Sequence, residues 1–154
     1  MIQRIQSVFL LASLCLLVPM FFVPAAKLTY ESGYIIGFNF TGFYPVDIDT
    51  ETTILNNKSY SIMAFSILIC ALNLIAIFLY RIRLLQIRFC IYNILFLIGL
   101  TGILFFYLNS VPDVQSVSYS LPIVFPLVSA ILHYLAFRGI RKDHFMVEAL
   151  SRLR

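Results

Sequence analysis

Few side chains in this sequence have the types and spacing that catalysis or metal binding requires. The three cysteines, Cys15, Cys70 and Cys90, form no Cys-x-x-Cys pair, so they predict neither a disulfide framework nor a zinc site. Buried cysteines in an odd set are typical of packing. His133 and His144 are the only histidines, and a bis-histidine haem would need partners on facing helices. We therefore expect no cofactor and no metal.

Among the polar residues inside the long apolar stretches, those of interest are Asn73, Asn93 and His133. An amide in an apolar environment needs a hydrogen-bond partner, and an interhelical bond contributes about 0.6–2 kcal/mol. Ionisable groups in such stretches are also candidates for proton relay. We favour interhelical polar contacts for all three, within the chain or between copies. No nucleophile, base or phosphate loop accompanies them, so we do not expect an enzyme.

The composition around these residues is that of a membrane protein. Hydrophobic residues make up 61% of the 154-residue chain and charged residues only 12%, against about 45–50% and about 25% in soluble domains. One small domain cannot bury so much apolar surface. Although the net charge is +4, the basic residues lie between apolar runs rather than in a patch. The composition therefore also argues against a nucleic-acid partner.

Four uncharged runs exceed the roughly 20 residues that a helix needs to cross a bilayer. They predict transmembrane helices near 5–26, 60–80, 89–109 and 119–138. The first run is longer than a signal-peptide core of about 7–15 residues, so we expect it to be retained. Short connections between the later helices favour an up-down-up-down four-helix bundle. The expected fold is thus an all-α membrane protein with a single integral membrane domain over residues 1–154.

The basic residues indicate how these helices are oriented. Nine of the 11 fall before the first helix, between the second and third, or after the fourth. Because basic residues remain on the cytoplasmic side, both termini are predicted to be cytoplasmic. Five of the basic residues are assigned to topology first and to anionic lipid second: Arg81, Arg83, Arg88, Arg141 and Lys142.

Two segments outside the predicted helices have informative residue patterns. Within the outer loop 27–59, the aromatic and β-branched stretches 28–30 and 34–43 predict a β-hairpin that turns at Ser32-Gly33. This loop also contains Asn39-Phe40-Thr41, which matches the glycosylation acceptor pattern. In the cytoplasmic tail 139–154, apolar residues recur at helical spacing. The tail is therefore either a solvated segment or an amphipathic helix that lies on the inner leaflet or binds a partner.

The two ends of the chain resemble a known family. The opening Met1-Ile2-Gln3-Arg4-Ile5-Gln6-Ser7 and the closing stretch from Arg138 to Asp143, with the final Ser151-Arg152-Leu153-Arg154, are similar to the domain-of-unknown-function family 4293. That resemblance implies a small four-helix integral membrane protein of bacteria. It implies no activity.

The sequence thus leaves two functions open. The first is a non-enzymatic accessory or scaffold subunit of a bacterial inner membrane, which contacts lipid and another membrane protein or a second copy of itself. The alternative is the binding or transport of a lipid-like or apolar ligand between the helices, near Asn73, Asn93 and the proline-containing fourth helix.

Overall fold

The computed structural model describes residues 2–30, 33–46, 60–112 and 114–152. The helices and strands follow one another along the chain in the order α1 (Ile2–Leu17), β1 (Ala26–Tyr30), β2 (Ile35–Asn39), β3 (Gly42–Pro45), α2 (Tyr60–Phe78), α3 (Arg83–Asn109), β4 (Val114–Tyr119) and α4 (Phe125–Arg152). Short 3₁₀ turns follow α1 and α2 and precede α4, at Val18–Phe21, Leu79–Arg81 and Leu121–Val124.

The predicted all-α fold is wrong because the strands form a four-stranded antiparallel sheet with the order β3-β2-β1-β4. β1 and β2 form the expected hairpin, in which Gly33 has a φ of 84° that suits glycine. The edge strand next to β1, β4, comes from the short loop that the sequence predicted between the last two helices and from residue 119, the predicted start of the fourth helix. It pairs with β1 from Ala26↔Tyr119 to Tyr30↔Val114.

The prediction of four transmembrane helices is also wrong in number. Among the described residues, three helices are long and apolar enough to cross a membrane: Tyr60–Phe78, Arg83–Asn109 and Leu121–Asp143. The apolar helix Gln6–Phe21 is shorter. The predicted first span, 5–26, extended too far because the α-helix ends at Leu17 and a 3₁₀ turn that contains Pro19 follows it. Proline lacks the N–H that would continue the helical hydrogen bonding.

The fourth helix begins later and ends later than predicted. Pro122 lies in the 3₁₀ turn and Pro126 in the first turn of α4, where a missing N–H costs nothing, so the helix starts at Phe125 rather than near residue 119. It then continues to Arg152. Residues 139–152 of the tail are therefore a continuation of α4 and not a separate amphipathic helix.

The helices surround an apolar core that the sheet extends. α4 packs mainly against α1 and α3, and α2 packs mainly against α3. Near the sheet, Leu28 and Phe38 are buried together with Leu104 and Leu108 of α3. A second apolar cluster, at the other end, contains Leu10, Ala76, Cys90, Ala136 and Ile140.

The connections place the sheet at one end of the helices. The turn between α2 and α3 lies at the opposite end, beside the last part of α4, because Arg83 and Asp143 form an ion pair of 3.4 Å there. Gln6 of α1 contacts Gly139 of α4 at the same end, since a Cβ built on Gly139 would lie 3.1 Å from Cγ of Gln6. We call this end the basic end, because it carries Arg83, Arg88, Arg138, Arg141 and Lys142.

Candidate functional site

A cluster of polar side chains lies between the two apolar clusters, with members from all four helices. None of its five residues has any exposed surface. α1 contributes Ser13, α2 Asn73, α3 Asn93, and α4 both Ser129 and His133. We call this group the polar cluster. It brings together Asn73, Asn93 and His133, the three residues that the sequence suggested as interhelical contacts, and it does so inside one chain.

His133 is hydrogen-bonded through both ring nitrogens. Its Nδ1 lies 2.9 Å from the carbonyl oxygen of Ser129. Because a carbonyl oxygen only accepts, Nδ1 carries the proton and donates it. The Nε2 atom, 3.2 Å from Nδ2 of Asn93, is then the acceptor in a neutral imidazole. The helical backbone and Asn93 therefore fix the tautomer and orientation of the ring.

Asn73 joins the cluster through Ser13. Its Nδ2 donates to the Ser13 hydroxyl oxygen at 3.1 Å, and the same oxygen lies 3.1 Å from Nδ1 of His133. Ser13 therefore connects α2 to α4 across α1. The Ser129 hydroxyl makes a longer bond, 3.5 Å, to the backbone oxygen of Ser13.

The chemistry available to this cluster is limited. It contains no carboxylate, and the described residues include no group of three or more His, Cys, Asp or Glu side chains that could hold a metal ion. Oδ1 of Asn73 and Oδ1 of Asn93 have no hydrogen-bond partner among the described atoms, so the atoms left open are acceptors. The arrangement is suited to joining helices.

Two buried glutamines, Gln6 and Gln86, lie closer to the basic end than the polar cluster does. Gln86 is 3% exposed and donates from Nε2 to the carbonyl oxygen of Ala76 at 3.1 Å, which ties the start of α3 to α2. Gln6 is also buried, and its Nε2 has no partner among the described atoms. Neither glutamine was predicted as a polar contact from the sequence, although Gln6 lies within the first predicted span and Gln86 lies just before the third.

Ser13 and Ser129 were missed for a different reason. A serine in a helix commonly bonds to the carbonyl oxygen four residues earlier, as Ser66 does to Ile62 at 2.8 Å. Its presence in an apolar stretch therefore predicts no tertiary contact.

The basic residues chosen as topology or lipid contacts do not form one site. Arg83 pairs with Asp143, whereas Arg88, Arg141 and Lys142 are exposed. The Arg141 guanidinium lies 5.5 Å from the centre of the Phe145 ring. The side chain of Arg81 lies outside the described residues; its backbone ends the 3₁₀ turn between α2 and α3.

A small apolar cavity lies away from the polar cluster, on the side of the sheet. It has room for about one water molecule. Its walls come from the end of α1 and the turn after it, the β2–β3 turn, α2 and α3: Leu17, Met20, Phe21, Phe40, Ser66, Ile69, Cys70 and Leu100.

Comparison with known proteins agrees with the resemblance seen in the sequence. No curated protein matches the chain. A family model described as "Domain of unknown function (DUF4293)" matches residues 2–153, nearly the whole chain, and the protein therefore belongs to the DUF4293 family.

Proposed function

We propose that this protein is a single integral membrane domain of the bacterial inner membrane that acts as a non-enzymatic accessory or scaffold subunit. The observation that carries the membrane assignment is the reversed distribution of polarity. Large apolar side chains face outward on the candidate spans, such as Phe78 (74% exposed), Leu95 (60%) and Phe106 (76%). The five residues of the polar cluster are instead fully buried. Exposure of these large apolar side chains to water is unfavourable, whereas lipid acyl chains accommodate an apolar surface.

The charge distribution supports an orientation for this domain. The sheet carries one described basic residue, Lys27, whereas several basic residues lie toward the basic end. They include Arg83, Arg88, Arg138, Arg141 and Lys142. Because basic residues remain on the cytoplasmic side, the basic end and both chain termini face the cytoplasm, and the sheet faces outward.

A non-enzymatic role is supported by the use of the polar side chains. Every side chain of the polar cluster bonds to a neighbouring helix or to its own backbone, so the cluster presents no nucleophile or base to a substrate. The contact surfaces would then be the exposed parts of the sheet and the basic end. The apolar cavity favours the alternative, a bound lipid-like ligand, only weakly because its volume is close to that of one water molecule.

Orientation is tested with single cysteines in a chain whose three native cysteines are replaced by alanine. Ser118→Cys lies on β4 and Lys142→Cys on the basic end, and both positions are exposed. On intact cells, a membrane-impermeant maleimide should label Ser118→Cys alone, and permeabilisation should expose Lys142→Cys. The reverse pattern, or equal labelling of both, contradicts the proposed orientation.

The accessory role is tested by native mass spectrometry of the protein extracted from its own membrane in a gentle detergent. A second protein in fixed stoichiometry supports an accessory subunit and identifies the partner. A single chain or a homo-oligomer that carries a defined small molecule or lipid, without a second protein, contradicts that role and favours the ligand-binding alternative.

A further inference from the structure

The turn between β2 and β3, residues 39–42, lies beside the middle of the helices rather than beside their outer ends. We call it the hairpin tip. In the strands next to this turn, the rings of Phe38 and Phe43 lie 5.9 and 5.8 Å from the ring of Tyr107, which is near the end of α3. At the tip, Phe40 shares a cavity wall with Leu100. Leu100 is nine residues before the last residue of α3, which corresponds to about 13 Å along the helix.

The contacts of Phe40 with α2 indicate the same depth. The other walls of this cavity include Ile69 and Cys70, which lie near the middle of the 19-residue helix α2. Both α2 and α3 are candidate membrane spans. The β2–β3 hairpin therefore runs from the outer end of α3 down toward the level at which the centre of the hydrocarbon layer is expected.

The hairpin has the composition and the hydrogen bonding that such a position requires. Residues 35–46 contain no charged side chain. A turn in hydrocarbon must satisfy its own backbone donors, because no water is present to do so. At the tip, Oδ1 of Asn39 accepts the N–H groups of Thr41 and Gly42, both at 3.0 Å, and also the Thr41 hydroxyl.

The surroundings of the tip are apolar on the outside as well. The Phe40 ring is 1% exposed and lies 6.3 Å from the ring of Phe21. Phe22, which follows Phe21 in the chain, is 80% exposed, and Val18, one residue after the end of α1, is 45% exposed. At the tip itself, Thr41 is exposed.

From these observations we infer that the hairpin tip is inserted into the outer leaflet of the bilayer. There it contacts lipid acyl chains and occupies the space between the end of the short helix α1 and the outer membrane surface. The inference rests on the proposed membrane function. It also gives Asn39 a role that its Asn-Phe-Thr pattern did not suggest, because its side chain completes the hydrogen bonding of a turn in lipid.

The chain contains no tryptophan, so a single introduced tryptophan reports on its own surroundings. The probe at the tip is Thr41→Trp. Ile67→Trp, at a position of α2 that is 48% exposed, is the control for membrane insertion, and Ser118→Trp on the exposed side of β4 is the control for water contact. Phe22→Trp, an aromatic-for-aromatic change beside Phe21, is a second probe near the tip.

Each variant is reconstituted into phosphatidylcholine vesicles with or without brominated acyl chains, and folding is compared by circular dichroism. Brominated lipid should quench Thr41→Trp, Phe22→Trp and Ile67→Trp, and the aqueous quencher acrylamide should quench Ser118→Trp more than these three. If brominated lipid quenches Ile67→Trp but both tip probes behave like Ser118→Trp, the inserted tip is wrong and the membrane assignment stands. If brominated lipid does not quench Ile67→Trp, the membrane assignment itself is wrong.

Discussion

Asn93 of α3 and His133 of α4 meet at 3.2 Å in the fully buried centre of the helices, and the amide is the donor because the other ring nitrogen already donates to Ser129. The bond defines the relative position of two helices whose remaining contacts are largely non-directional. It also leaves the ring with both nitrogens satisfied, which a polar group in an apolar interior requires.

Replacement of Asn93 by leucine should therefore destabilise the protein. The change replaces the amide with an apolar side chain of similar size and leaves Nε2 of His133 without a donor, and an unsatisfied buried group costs about 1–3 kcal/mol. We expect the free energy of unfolding to fall by about that amount, as measured by SDS titration in mixed micelles. Gln115→Leu, at an exposed position of β4, is the matched control and should change stability by less than about 0.5 kcal/mol. Equal losses in the two variants would contradict the role of Asn93.

The bond between Ser13 and Asn73 should be measurable by a double-mutant cycle with Ser13→Ala and Asn73→Ala. Their side chains lie 3.1 Å apart, and interhelical hydrogen bonds in membranes have coupling energies of about 0.6 kcal/mol on average. We expect a positive coupling of about this size or slightly larger, because Ser13 also contacts His133. The same cycle between Ser13 and Ser66, which bonds within its own helix, should give no coupling. Additive losses for Ser13 and Asn73 would show that the bond does not contribute to stability.

The residues of the polar cluster differ in how far the sequence reveals them. An amide or imidazole between long apolar stretches attracts attention because such groups are costly in hydrocarbon unless they are paired. Asn73, Asn93 and His133 were selected on that basis, but the sequence could not say which of them meet. Ser13, the link between Asn73 and His133, gives no such signal because a helical serine can bond to its own backbone.

The sheet shows a second limit of the sequence. The hairpin of β1 and β2 has a local signal, since two short stretches rich in aromatic and β-branched residues flank a turn. β4 pairs with β1 across more than 80 residues, and a local pattern contains no information about such a pairing. The sequence therefore predicted a short loop up to residue 118 and a helix from residue 119, although the valines and the tyrosine of Val114–Tyr119 suit a strand. The bounds of α2, by contrast, were predicted within two residues, because an uncharged run defines both ends.

Within the sheet, Gly37 should be intolerant of a side chain. The Tyr44 ring lies over it on the paired strand β3, and a Cβ at Gly37 would overlap that ring. Overpacking of this kind costs about 1–3 kcal/mol, so Gly37→Ala should lower the free energy of unfolding by about that amount. Tyr44→Ala in the same chain should recover part of the loss. Gly99→Ala in α3, where nothing lies within 4 Å, is the control and should be neutral or stabilising. A Gly37→Ala variant as stable as the native chain would show that Tyr44 moves aside without cost.

At the basic end, the exposed residues Arg141 and Lys142 should bind anionic lipid more strongly than Arg83 does. The Arg83 guanidinium already lies 3.4 Å from the Asp143 carboxylate, which offsets its charge. Each basic group near an anionic membrane surface contributes about 1 kcal/mol, so the double variant Arg141→Ala, Lys142→Ala should lose most of its bound phosphatidylglycerol in native mass spectrometry. Arg83→Ala should lose less.

Lys27→Ala is the control for this comparison, because Lys27 is exposed on the sheet at the other end of the molecule. It should retain phosphatidylglycerol as the native chain does, and added salt should release the lipid from the native chain, since exposed charges are screened. If Lys27→Ala loses as much lipid as the double variant, anionic lipid does not distinguish the two ends, and the basic end then contributes to orientation only.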